Sequence, residues 1–260
     1  MREHAFVTKD TVVIISGAGG GIGSATAFKL AVMGITVVIV DKNESLLKAT
    51  TKKIADAGFK SLAIVADVTS EDDCKKICAA ASTLGLPIKG LVNNAAIGAF
   101  NMSVEQTSLD EWNHIIAINL TSLFLMSKYT LPHIRKAGGG VVINVSSVHA
   151  YASSTGVAPY AAAKGGVLAL TRTMALDLAK DKIRVVCLVP GAVNTPMLQM
   201  HADREGKTLA ELGFPAGSAE IARIADPGEL ADAISFALSK DATFITGSAI
   251  VADGGMLAKF

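Results

Sequence analysis

Tyr160 and Lys164 stand one helical turn apart in a predicted helix over residues 159–179, so both side chains share one face. A cation beside a phenol lowers the phenol's pKa toward neutrality. That yields a proton donor or acceptor suited to an alcohol and its ketone. Pro159 fits the start of such a helix, where the missing N–H costs nothing. Ser146 and Ser147 follow the apolar run 141–145, and Ser147 precedes Tyr160 by 13 residues. Alone, a tyrosine and a lysine at this spacing are also a common accident of helical sequence.

A second constellation lies near the amino end. The run VVIISGAGGGIG, residues 12–23, reads as a buried strand, then a glycine cluster, then the start of a helix. Gly17, Gly21 and Gly23 would let the backbone turn tightly and let a pyrophosphate approach without meeting a β-carbon. The N–H groups of the helix start, from Ile22 on, would then face the phosphates. The spacing, Gly17-x-x-x-Gly21-x-Gly23, differs from the more familiar G-x-G-x-x-G, and a flexible turn is the alternative reading. Asp41 ends a second β-branched run, 35–40, and lies 20 residues beyond Gly21. That is the place of the acidic residue that accepts hydrogen bonds from ribose hydroxyls. A carboxylate there repels a 2′-phosphate and favours NAD over NADP, although Asp41 also suits a plain turn and Lys42 beside it softens the choice.

The elements that position these residues alternate. Apolar runs at 12–15, 35–40, 61–66, 90–92, 141–145, 183–189 and 249–252 are separated by helical segments at 44–57, 109–135 and 159–179, with a helix start rich in caps and acids at 69–73. This order predicts an α/β fold, a doubly wound parallel sheet of Rossmann type with helices on both faces, as one domain over residues 1–260. Ligands of such a sheet gather at the carboxyl ends of its strands. Residues 193–226 show no clear strand and form a candidate substrate lid containing Met197, Leu198, Met200, His201, Leu212, Phe214 and Pro215, with a helical hairpin that simply packs or oligomerises as the alternative.

Composition agrees. Half of the 260 residues are hydrophobic, which suits a sheet covered on both faces. The net charge of +1, without a long charged run, argues against a nucleic-acid partner. Cys74, Cys78 and Cys187 match neither a redox pair nor a zinc motif, so no metal is expected and the thiols suit a reducing compartment. The first ten residues lack the apolar core of a signal peptide, and no uninterrupted apolar run reaches membrane-spanning length. A soluble cytoplasmic protein, with no membrane partner, is the expectation.

The ordered set Gly17-x-x-x-Gly21-x-Gly23, Asp41, Asp67-Val68, Asn93-Asn94-Ala95, Asn119, Ser147, Tyr160-x-x-x-Lys164, Pro190-Gly191-x-Val193-x-Thr195 and Asp253-Gly254-Gly255 strongly resembles the short-chain dehydrogenase/reductase family over nearly the whole chain. The resemblance implies that Tyr160 is the general acid/base, that Ser147 holds the substrate oxygen, and that Lys164 lowers the Tyr160 pKa and binds the nicotinamide ribose. It implies that Asn119 holds a water that extends the proton relay through Lys164. Asp67 and Val68 would flank the adenine, Asn93 and Ala95 would line the cofactor groove, and Val193 and Thr195 would contact the carboxamide and phosphate. Ser16 stands where the family most often has Thr, and Ala96 where it usually has Gly; neither change removes a catalytic group.

The implied activity is NAD-dependent hydride transfer between a secondary alcohol, or its ketone, and the nicotinamide. The alternatives are a catalytically silent NAD-binding sensor or scaffold and a transient-oxidation enzyme such as a sugar epimerase; the first would be free to lose Tyr160 or Lys164, and the second usually carries a further substrate domain. The substrate is expected to be moderately apolar and mid-sized, meeting Ser147, Tyr160, His149 and Met197, with Ala96, Ile97, Tyr151 and the lid around them. The resemblance also implies a homotetramer built through the helices at 109–135 and 159–179 and the carboxyl-terminal strand.

Overall fold

The computed structural model describes residues 6–209, 211 and 223–258. Seven strands form one sheet: β1 (Val12–Ser16), β2 (Thr36–Asp41), β3 (Ser61–Val65), β4 (Ile88–Asn93), β5 (Gly140–Val145), β6 (Ile183–Pro190) and β7 (Ala249–Ala252). Their order is β3-β2-β1-β4-β5-β6-β7, and every neighbouring pair is parallel. Chain direction across the sheet reverses between β1 and β4. The carboxyl ends of those two strands therefore open the crevice in which ligands of such sheets bind.

The central strands are continuous β-branched runs because both faces are covered. Alternation sorts their side chains. Val13, Ile15, Val37 and Ile39 pack on one face with Ala27 and Leu30 of α1 (Gly21–Val32) and with Leu230 and Ile234 of α8 (Pro227–Leu238). Val12, Ile14, Val38 and Val142 pack on the other, against α3 (Glu71–Ser82), α5 (Ser122–Lys136) and α6 (Ala158–Leu178). Each such fully buried valine, leucine or isoleucine contributes roughly 1.5–3 kcal/mol. α2 (Glu44–Asp56) starts at Asn43, whose side chain accepts the Leu46 N–H at 3.1 Å.

The long helix expected over 109–135 is interrupted. α4 (Leu109–Ile116) passes through a π turn, Ala117–Thr121, into α5. Asn119 supplies the cause. Its Nδ2 donates to the Ile115 carbonyl at 3.1 Å, the acceptor that the Asn119 main-chain N–H would otherwise use. By length and composition the segment Leu109–Lys136 could cross a membrane, but half of its apolar window is buried within the fold. α5 packs on β4 and β5, so the segment reads as a core helix.

The expected lid contains α7 (Pro196–Glu205), capped by the Thr195 hydroxyl. Its ends are tied by a bridge between Val193 and Ala225. Leu212, Phe214 and Pro215 lie outside the described residues.

Candidate active site

β5 delivers Ser147 to the crevice, and α6 lays Tyr160 and Lys164 beside it. Ser146 fastens the two elements: its hydroxyl donates to the Lys164 carbonyl at 2.8 Å. Lys164 is buried, and its ammonium donates to the Val145 carbonyl at 3.0 Å while lying 5.5 Å from the Tyr160 ring centre. Ser147 hydrogen-bonds the Tyr160 hydroxyl. The three side chains thus converge at one strand end.

Their electrostatics differ from the sequence expectation. Burial pushes the Tyr160 phenol above its ordinary range, and the bond with Ser147 only partly offsets this. Burial likewise holds the Lys164 ammonium down to about 8. Burial of the phenol outweighs its bond with Ser147, so Tyr160 is a protonated acid at neutral pH. Cys187 lies behind Lys164, its thiol pushed up to about 11 by burial.

Asn119 is wholly buried and spends its amide on the chain: Oδ1 accepts the Ile97 N–H at 3.1 Å, while Nδ2 donates to Ile97 and Ile115 carbonyls, each at 3.1 Å. Both amide N–H groups are therefore engaged. The side chain clamps the loop after β4, which makes Asn119 a positioning residue here.

The glycine turn is shaped by close approach. Gly17 and Gly21 take φ of +64° and +51°, conformations that L side chains rarely adopt. A β-carbon on Gly23 would lie 2.2 Å from the Gly17 carbonyl oxygen. Ile22 follows in the first turn of α1 and packs partly against the core. Asp41 reaches this turn from β2, accepting the Gly19 N–H at 2.9 Å through Oδ2 and the Asn43 N–H at 2.9 Å through Oδ1.

Beside it a cleft is lined by Gly17, Asp41, Asp67, Val68, Ala95 and Ala96, among others. Burial pushes the Asp67 carboxyl up, but hydrogen bonds from Thr69 and the charge of Lys42 outweigh it and hold the group below its usual range. Ser16 does the work expected of a threonine: its Oγ accepts the Asn94 and Ala95 N–H groups at 3.0 and 3.2 Å. The glycine cradle, the carboxylate at the end of β2 and this cleft fit the phosphates, ribose and adenine of a dinucleotide.

Some expected contacts fall elsewhere. The Asn93 side chain does not face the groove. It is turned into the core, donating to Ser127 at 3.1 Å and Asn144 at 2.8 Å. Asn94, the next residue, meets the glycine turn instead, donating to the carbonyls of Ser16 at 3.1 Å and Gly17 at 3.0 Å. The Val193 side chain is buried in the core, which leaves its main chain for any cofactor contact. Pro190 is buried at the end of β6. Gly191 backs onto Asp253, where a β-carbon would lie 2.9 Å from that residue's Cα. Thr195 overlies the glycine turn, since a β-carbon on Gly21 would meet its Cγ2 at 2.9 Å.

At the substrate end, His149 meets Tyr160 edge-on with ring centres 5.8 Å apart. Met197 is half-buried on α7, whereas Tyr151 is exposed. Phe100, which sequence reasoning missed, stacks on His201 at 4.3 Å, with the Arg204 guanidinium 6.0 Å from its ring. That stack joins the loop after β4 to α7.

Similarity to known proteins agrees with this geometry. Residues 17–257 match the family model described as Enoyl-(Acyl carrier protein) reductase. The chain is 34% identical over 249 residues to the cyclohexanol dehydrogenase of Acinetobacter sp. (strain SE19), covering 95% of each chain. The crystal structure of levodione reductase superposes with a TM-score of 0.91 at 31% identity, covering 98% of this chain and 100% of that one. The 3-ketoacyl-(acyl-carrier-protein) reductase of Brucella melitensis, solved with NADH, superposes with a TM-score of 0.83 at 34% identity, over 94% of this chain and 97% of that one. The chain belongs to the short-chain dehydrogenase/reductase family. It is an oxidoreductase of CH–OH groups and their ketones that uses a nicotinamide cofactor.

Proposed function

We propose that the protein interconverts an alicyclic secondary alcohol and its ketone, with NAD as the preferred cofactor and Tyr160 as the general acid/base. The convergence of Ser147, Tyr160 and Lys164 at the end of β5 carries this reading. Ser147 holds the substrate oxygen beside the Tyr160 hydroxyl. In oxidation Tyr160, as phenolate, takes the hydroxyl proton; in reduction it returns one. Lys164, whose ammonium lies 5.5 Å from the Tyr160 ring centre, would hold the nicotinamide ribose. NAD supplies, when bound, the acceptor for the hydride that leaves the carbinol carbon. Asn119 fixes the loop that carries Ala96 and Ile97 along the cleft.

Asp41 supports NAD: its negative charge sits beside Gly19, where a 2′-phosphate would be repelled. The NADH-bound relative supports the same cofactor, and the cyclohexanol dehydrogenase supports a ring substrate. The unpaired, buried cysteines support a cytoplasmic setting.

The test is formation of NADH across cyclic and open-chain secondary alcohols at alkaline pH, with NAD and NADP run in parallel. We expect turnover of ring alcohols with NAD. Tyr160→Phe should abolish turnover while NAD still binds, and near-normal rates in that variant would remove Tyr160 from its role. Tight NAD binding with no turnover of any alcohol or ketone would favour the silent-sensor reading.

A further inference from the structure

Four successive residues at the end of β5 each hold α6. Asn144 Nδ2 donates to the Thr171 hydroxyl at 3.0 Å. The Val145 carbonyl accepts the Lys164 ammonium at 3.0 Å, and the Ser146 hydroxyl donates to the Lys164 carbonyl at 2.8 Å. Ser147 hydrogen-bonds the Tyr160 hydroxyl. Tyr160, Lys164 and Thr171 stand at positions i, i+4 and i+11 of the helix, so they share the face turned to the strand. The contacts of Val145, Ser146 and Ser147 lie among the groups assigned to the chemistry. The contact of Asn144 with Thr171 lies wholly in the interior, and the mechanism given above does not use it.

That interior pair is anchored on both sides. Asn144 Oδ1 accepts from Asn93 Nδ2 at 2.8 Å, and the same Nδ2 donates to Ser127 at 3.1 Å, which ties the pair to β4 and α5. Asn93, Asn144 and Cys187 are direct neighbours across β4, β5 and β6. The Cys187 thiol hydrogen-bonds the side chains of Thr171 and Ser146. Thr171 spends its own proton on the Val167 carbonyl at 2.8 Å, which leaves its lone pairs for Asn144. The layer around these groups is apolar, with Val142, Met126 and Met174 among its members. A buried polar chain with its bonds made rigidifies a core and selects one arrangement of it. Here the arrangement selected is the height of α6 along β5. A slide of α6 would move Tyr160 and Lys164 together and carry both away from Ser147 and Val145.

Resting on the reading of Tyr160 as general acid/base, we propose that Thr171 is a positioning residue for the reaction: its hydroxyl, held by Asn144, keeps Tyr160 in register with Ser147. Loss of that hydroxyl frees α6 to shift and lengthens the bond between Ser147 and Tyr160. The phenolate then loses an interaction that favours it, and burial acts on the phenol with less opposition. The other titratable groups around Tyr160 are Lys164 on α6, His149 on the turn after β5 with His201 of α7 near it, and Cys187 on β6 behind Lys164. A substitution at Thr171 alters none of them chemically.

The experiment compares Thr171→Val, which removes the hydroxyl and keeps the shape, with Thr171→Ser, which keeps the hydroxyl. Oxidation by NAD of cyclohexanol, or of the fastest alcohol in the panel described above, is followed from neutral to alkaline pH, and thermal unfolding is recorded for each protein. We expect kcat of Thr171→Val to fall about tenfold, less than the roughly hundredfold of a full 1 Å misplacement. Its oxidation profile should move to higher pH, and Thr171→Ser should return both kcat and profile toward the wild type. A Thr171→Val enzyme that melts earlier yet keeps the wild-type kcat and pH profile overturns this inference alone, because Thr171 then holds only the fold. A fall in kcat with an unshifted profile, or without recovery in Thr171→Ser, overturns it as well. A Tyr160→Phe enzyme with near-normal rates, or a wild type inactive on every alcohol and ketone, removes the underlying reading and this inference with it. Should Thr171→Val not fold, Thr171→Cys, whose thiol hydrogen-bonds only weakly, is read against Thr171→Ser, and equal kcat and profile in those two overturn the inference.

Discussion

Lys164 places an ammonium in the interior with, among the described residues, a single backbone carbonyl as its hydrogen-bond acceptor. Its proton is held at about 8 in the folded chain against an ordinary value of 10.5. Between those two values the unfolded chain binds a proton that the folded chain does not, so stability rises with pH across that window. The burial penalty is fully present below it. Lys164→Met should therefore be more stable than the wild type at neutral pH, by roughly 1–3 kcal/mol. That advantage should shrink as pH rises toward 10.5, and activity should be lost. Denaturant unfolding at neutral and alkaline pH checks this; a less stable variant at neutral pH would mean that the bond to Val145 outweighs desolvation. Tyr160 has the complementary sign. With its phenol held above the ordinary range, ketone reduction finds the acid ready at neutral pH, while alcohol oxidation should climb into the alkaline range. A pH–rate profile taken in both directions reads this, and an oxidation rate that falls with rising pH would count against it. Spacing by itself left Tyr160 and Lys164 ambiguous; the ordered set of family motifs around them, Ser147 included, is what made them legible in the sequence. It could not tell Asn93 from Asn94: an apolar strand buried on both faces gives no alternation to show which asparagine turns inward. The meeting of Phe100 with His201 joins segments about a hundred residues apart, and no local pattern announces it.

The glycine turn shows how little freedom an element has where a ligand must approach. A β-carbon on Gly23 collides with the Gly17 carbonyl oxygen at 2.2 Å, whereas one on Gly20 meets nothing nearer than Pro196 Cγ at 3.8 Å. Gly23→Ala should force the turn apart, abolish cofactor binding and cost about 1–3 kcal/mol. Gly20→Ala, whose φ of −161° any residue adopts, should keep the fold. Thermal unfolding beside NAD titration separates the two, and equal effects from both substitutions would overturn the steric account. At this scale the strand–helix alternation was readable because each strand is an apolar run closed by polar or turn-forming residues. The π turn was not. Apolar periodicity runs on through residues 109–136, and the interruption depends on where one side chain, Asn119, sends its N–H. The start of β4 was missed for a related reason: Lys89 breaks the apolar run, yet the ladder to β1 already begins at Ile88.

At the scale of the whole molecule, the two covered faces of the sheet leave apolar side chains on two further surfaces. Leu109, Phe124 and Leu176 are exposed along α4, α5 and α6, with Leu176 at 81%. Phe236, Phe244 and Val251 are exposed around α8 and β7. Singly, exposed apolar residues are ordinary; a set of them that forms one patch marks a surface that takes a partner. Two self-complementary faces on one chain generate a closed tetramer with crossed two-fold axes, and we propose that this chain forms such a homotetramer. Leu176→Glu tests it on a residue distant from the catalytic groups in chemistry and exposed in the single chain. A charge there costs the isolated fold little, but in an interface it would be buried without a counter-ion, a penalty of several kcal/mol that two copies of the face would each incur. Sedimentation velocity should show four chains in the wild type and two in Leu176→Glu, with the far-UV spectrum unchanged. A wild type sedimenting as one chain would remove the assembly. A variant that remains four chains would move the interface away from α6 and leave the surface around Phe244 as the face to test.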